Sequence, residues 1–121
     1  MEISNIKPLL KGIGLPFNPD HSSCSNIIPT NFKWSVEEGI YDVHIDQGLK
    51  KRPDPAKSKS NIFGWVCESK DIIPHIYDHL IRNHAILFDQ YYNKIFTCDT
   101  ELIKLNENLD FVIVDSFITV F

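Results

Sequence analysis

Cysteine is scarce and unpatterned in this chain. Cys24, Cys67 and Cys98 are odd in number and form no CxxC pair, which argues against both a disulfide framework and a zinc site and makes a reducing compartment the expectation. Long apolar runs are also missing. None approaches the roughly 20 residues needed to cross a bilayer, so no membrane span is expected, and the first residues lack a basic stretch followed by an apolar core, so no secretory leader is expected. Glycine is sparse, and no Gly-rich loop with a following Lys-Ser/Thr and no GxSxG elbow occurs. Gly12-Ile13-Gly14 has no third glycine, follows no clear strand and runs into Pro16, which excludes it as a dinucleotide loop. Basic charge is short in the second half. Lys and Arg number 8 against 7 Asp and Glu in residues 1–60, but 4 against 9 in residues 61–121. A broad phosphate-binding surface is therefore not expected there, and no nucleic acid is expected as a partner. The one basic cluster, Lys50, Lys51, Arg52, Lys57 and Lys59, is broken by Pro53, Asp54 and Pro55 and carries no interleaved aromatics, so it reads as a solvated linker.

What is present is an ordinary globular composition in 121 residues, enough for one core and too few for two lobes. Residues 1–60 read as an irregular N-terminal segment with one or two strands packed on the core. Of these, Phe32 and Trp34 and then Ile40, Tyr41, Val43 and Ile45 carry the strand signal, with Val43 and Ile45 on one face and Asp42, His44 and Asp46 on the other. Residues 47–60 read as a loop. Residues 61–121 form a clearer unit within the same domain. Ile62-Phe63-Gly64-Trp65-Val66-Cys67 is a near-continuous apolar run, the pattern of a strand buried on both faces, and Glu68 stands where it ends. Ser69 or Asp71 can cap a helix that tolerates Pro74 in its first turn, with Ile72, Ile73, Ile76, Tyr77, Leu80, Ile81 and Ala85 as its apolar stripe and His84 near its end. A second strand at Ile95-Phe96-Thr97-Cys98, a short helix capped by Asp99 or Thr100, and a third strand at Phe111-Val112-Ile113-Val114 complete the order. That β-α-β-α-β order predicts an α/β fold, a Rossmann-like half-sheet with ligands beyond the carboxyl ends of its strands.

Few side chains offer chemistry. His75 and His79 are four apart on the predicted helix but face away from its apolar stripe and belong to no HExxH pattern, so they read as a solvated face and no metal site is expected. Cys67 and Cys98 fall within strands and read as packed thiols. Glu68 is placed at the mouth of the sheet, where partial desolvation suits a carboxylate to proton transfer, although a strand-end acid is also a common loop or helix-entry residue. Asp99 has the helix cap as its simpler explanation.

Gly64-Trp65-Val66-Cys67-Glu68-Ser69-Lys70, the amphipathic helix, and then Lys94-Ile95-Phe96-Thr97-Cys98-Asp99-Thr100-Glu101-Leu102 together resemble the acceptor side of fucosyltransferase-like glycosyltransferases (the α1,3-fucosyltransferase family), in particular short phage-encoded members. In that family an apolar strand ends in Glu-Ser and a later strand in a Thr/Ser-x-x-Asp-like segment, positions held here by Glu68-Ser69 and Thr97-Cys98-Asp99. The resemblance covers mainly residues 61–112, with His21-Ser22-Ser23 and Tyr41-Asp42-Val43 as weaker upstream support. It implies the N-terminal acceptor lobe of a GT-B enzyme that inverts at the transferred sugar without an obligatory metal. Glu68 would be the general base, and His21, Ser69, Lys70 and Asp99 would contact a glycan or other hydroxyl acceptor. The family binds its nucleotide sugar, GDP-fucose-like, in a second lobe with basic residues facing the diphosphate. The expectation is accordingly a truncated or partner-dependent transferase, inactive by itself and binding no cofactor. The other reading is a non-catalytic phage accessory or virion protein that kept the half-fold and pairs with a protein partner through the apolar strand Phe117-Ile118-Thr119-Val120-Phe121. Either implies the cytoplasm of the host cell, or the virion.

Overall fold

The computed structural model describes residues 8–15, 32–105 and 111–113. Strands β1 (Leu9–Ile13), β2 (Lys33–Ser35) and β3 (Tyr41–Ile45) precede two 3-10 turns, Asp46–Lys50 and Lys59–Asn61. After them come β4 (Ile62–Val66), α1 (Pro74–Gln90), β5 (Lys94–Thr97), α2 (Thr100–Ile103) and β6 (Phe111–Ile113). All the strands pair in parallel in one sheet of order β2-β1-β3-β4-β5-β6. The β-α-β-α-β unit from residue 61 is therefore as read from the sequence. The segment before it supplies three strands rather than one or two, and they continue the same sheet. Their brevity explains the difference: β2 has 3 residues, too few to show a period.

Each face of the sheet carries its own apolar cluster. On one side Leu49, Ile62, Val66 and Ile95 pack beneath the α1 residues Ile76, Tyr77, Leu80, Leu87 and Phe88, with Tyr92 and Leu102 closing the ends. On the other, Trp34, Val43, Ile45, Trp65 and Cys67 come together, and Trp34 stacks on Trp65 with centroids 6.5 Å apart. Phe63 and Phe96 stack similarly at 6.0 Å. Burial on both sides is the usual condition of a parallel sheet, whose crossovers cover its faces.

Several local details differ from expectation. Helix α1 begins at Pro74, whose missing N–H costs nothing in a first turn. Its N-cap is Ile73 with no side-chain cap, and it is the Ser69 carbonyl that accepts the N–H groups of Ile72 and Ile73. The buried stripe turns away from Ile72 and Ile81, which are exposed, and on to Leu87 and Phe88, because the helix runs past His84 to Gln90. Cys67 lies just beyond β4 and is buried, whereas Cys98, just beyond β5, is exposed.

Gly12-Ile13-Gly14 does sit at the carboxyl end of a strand. Here β1 and β3 are the neighbours at which the strand order reverses, the place where a doubly wound sheet opens a crevice. In this chain the first 3-10 turn fills it. A side chain on Gly48 would collide with the Ile13 carbonyl oxygen, and one on Gly14, which has φ of 86°, would collide with the Ile45 carbonyl. These glycines let two stretches of backbone touch, so their close approach is to protein and not to a dinucleotide. Gly48→Ala is expected to destabilise the fold by about 1–3 kcal/mol, the usual cost of overpacking, because the obstacle is backbone and cannot rotate aside. Chemical denaturation measures this, and a change within about 0.5 kcal/mol, as at an ordinary surface position, would refute the contact.

Candidate functional site

The polar residues alternating along β3 are not solvated. Asp42, His44 and Asp46 are 2%, 2% and 7% exposed, and each is accommodated differently. The Lys57 ammonium pairs with Asp42 at 2.7 Å and also donates to the Gly39 carbonyl. The ring Nδ1 of His44 lies 2.8 Å from the Gly48 carbonyl oxygen, which can only accept, so Nδ1 carries the proton. Asp46, the residue that leaves β3, adopts a left-handed conformation with φ of 48°. Its Oδ1 accepts the N–H of Cys67 at 2.8 Å and of Glu68 at 3.2 Å. Burial raises the Asp46 carboxyl above its ordinary range, the two N–H donors pull it back, and the neighbouring Glu68 charge raises it further.

That carboxylate joins the ends of two central strands and fixes where Glu68 stands. The Glu68 main chain is held from both sides, its N–H by Asp46 and its carbonyl by the Tyr77 hydroxyl of α1 at 3.0 Å. Its own carboxylate makes no hydrogen bond or ion pair among the described residues and is half-buried at the carboxyl rim. Ser69 and Lys70 follow it and are exposed. Asp99 stands at the end of the adjacent strand, where its Oδ1 accepts the N–H groups of Glu101 at 2.7 Å and Leu102 at 3.2 Å. It caps α2. The structure thus brings Glu68, Ser69, Lys70 and Asp99 to one edge of the sheet, while His21 and residues 117–121, expected from the sequence to form a strand, lie outside the described residues.

Other sequence candidates separate from this edge. His75 reaches the Gln47 side chain at 3.0 Å. His79 is partly covered rather than solvated, and burial lowers its affinity for a proton. Among the described residues no group of His, Cys, Asp and Glu could hold a metal ion, and no helix is long and apolar enough to cross a membrane. Burial pushes the Cys67 thiol up, out of the range of a reactive thiolate. No motif in the sequence marks Asp46 or His44. Their signal was the neighbouring apolar run at residues 62–67, which implied a parallel sheet buried on both faces and hence no solvent face on β3.

Burial also lowers the His44 pKa from its ordinary 6.5, an effect aided by the charges of Lys11 and Lys51 and only partly offset by the Gly48 hydrogen bond and the Asp42 charge. The unfolded chain then binds this proton more readily than the native one, so stability should fall as pH drops through about 6.5, with His79 adding in the same sense. Asp46 works in the opposite direction, since its raised pKa makes the native state the better proton binder on the acid side. Urea midpoints at pH 7.5 and 5.5 should show a net loss toward acid that shrinks in His44→Gln; an undiminished loss would remove His44 as its source. The chain matches no protein-family profile, no curated protein and no solved structure.

Proposed function

We propose that the carboxyl rim of the sheet is the acceptor site of a sugar transferase, and that Glu68 removes the proton of the acceptor hydroxyl. The observation that carries this reading is a carboxylate without a partner among the described residues, on a main chain anchored at both its N–H and its C=O, at the end of a central strand. Such anchoring fixes a base without using up its oxygens, which general-base catalysis requires. The resemblance of residues 61–112 to fucosyltransferase-like enzymes supplies the reaction class, and the all-parallel α/β sheet accords with the acceptor lobe of a GT-B architecture.

In the proposed step a lone pair of the acceptor oxygen forms a bond to the anomeric carbon of a nucleotide sugar. The bond from that carbon to the diphosphate breaks, the nucleoside diphosphate leaves with the electron pair, and the hydroxyl proton passes to Glu68. Ser69, Lys70 and Asp99 line the same edge and are the proposed acceptor contacts, Asp99 through whatever lone pairs its capping role leaves free. Transfer requires the donor to be held in line with this oxygen, and the proposal assigns a GDP-fucose-like donor to a second lobe.

The test is the initial rate of sugar transfer by this chain combined with its donor-binding lobe. Glu68→Gln, which keeps the size of the side chain and removes its basicity, should lower the rate by about 10²–10⁴-fold while leaving acceptor binding intact. Equal rates for the two proteins would exclude Glu68 as the base.

A further inference from the structure

A cavity of about 500 Å³ opens over β1 and β3, apart from the Glu68 edge, and its lining includes Lys11, Asp42, His44, Lys51, Arg52 and Asp54. That volume is the size of a small-molecule site. Its two acids are already engaged. Lys57, which does not line the cavity, neutralises Asp42, and Asp54 turns Oδ1 to the Ala56 N–H at 2.9 Å. The three cations differ, since the side chains of Lys11, Lys51 and Arg52 make no ion pair or hydrogen bond among the described residues. Three cations facing one concavity repel one another, and an anion placed among them relieves that repulsion.

A second, independent observation points to an occupant. His44 is 2% exposed, and with Nδ1–H committed to Gly48 its Nε2 is left as a buried acceptor with no hydrogen-bond partner among the described residues. An unpaired buried polar atom costs free energy that a donor placed against it would recover. A hydroxyl carried by the same molecule as the negative charge would supply that donor and leave the lysine and arginine N–H groups to the anion.

We infer that this cavity binds a hydroxylated phosphate monoester, with Lys11, Lys51 and Arg52 around the phosphate and His44 Nε2 accepting a hydrogen bond from a ligand hydroxyl. Phosphate is the anion suited to this set, because arginine offers it a planar pair of donors and lysine a mobile point charge. The basic cluster that reads as a linker in the sequence thus divides its labour. Lys57 and Lys59 brace the fold through Asp42 and the Phe88 carbonyl, and Lys51 and Arg52 face the cavity.

Ribose 5-phosphate, inorganic phosphate and ribose are the probes, titrated into the isotopically labelled full chain at low salt and followed by amide and histidine-ring NMR. The inference expects saturable ribose 5-phosphate binding that perturbs Lys11, His44 and Arg52, weaker binding of inorganic phosphate, and none of ribose at the same concentration. Lys51→Gln with Arg52→Gln, both at exposed positions, should weaken ribose 5-phosphate by at least about tenfold, roughly the loss of one charge-assisted hydrogen bond. His44→Gln should narrow the preference for the sugar ester over inorganic phosphate. No binding to the wild-type chain, or unchanged affinity in the double variant, would overturn the site. Equal affinity for ester and inorganic phosphate would overturn the part given to His44. Glu68→Gln should leave all of this binding unaltered, so the cavity and the transferase reading fail separately.

Discussion

The Asp46 carboxylate is the point on which the rest of this structure turns. It leaves β3 in a left-handed conformation that costs an L-residue free energy, and it is buried where a charge is expensive. Two main-chain N–H groups, from Cys67 and Glu68, offset those costs by bonding to one of its oxygens. The exchange works in both directions. Those N–H groups lie just past the β4 ladder, where strand pairing no longer supplies an acceptor, and without Asp46 they would be orphans. The same bonds turn the chain into the 3-10 turn that seats Gly48 against Ile13 and closes the switch point between β1 and β3.

This closure bears on the positions of the two proposed sites. The backbone of the 3-10 turn packs against the ends of β1 and β3, and the two proposed sites border it. On one side lies the rim, where Glu68 is held by Asp46 and Tyr77. On the other lies the cationic cavity beneath Lys51 and Arg52, whose buried wall is His44, bonded to the same Gly48 that packs on Ile13. One short turn thus sets the geometry of both.

Much of this architecture is legible in the amino-acid sequence, and the reasons are particular. The run from Ile62 to Cys67 has no polar residue and so announces a strand covered on both sides. The spacing of Ile73, Ile76, Tyr77 and Leu80 sets the inner face of α1, though not its start, which Ile73 caps without a side-chain bond in place of Ser69 or Asp71. Asp99 caps α2 as its position before Thr100-Glu101 suggests. What escaped was decided by contacts that only the folded chain brings together. Alternation at Asp42, His44 and Asp46 looks like a wet face until Lys57, Gly48 and Cys67 are folded against it, from 15, 4 and 21 residues away. Helix α1 outran its expected end because Leu87 and Phe88 reach the core beyond His84, a continuation hidden by the exposed Ala85 and Ile86. Lys51 and Arg52 looked like linker charges because only the sheet reveals that β1 brings Lys11 beside them.

The central claim is that Asp46 organises the rim by holding the main chain of Cys67 and Glu68, and amide hydrogen exchange tests it most directly. In the wild-type protein the Cys67 amide should exchange slowly, like the amides of β4, and in Asp46→Ala it should become fast while those within β4 stay protected. A Cys67 amide that exchanges as fast as an exposed loop amide in the wild type, or that stays protected in Asp46→Ala, would contradict the account.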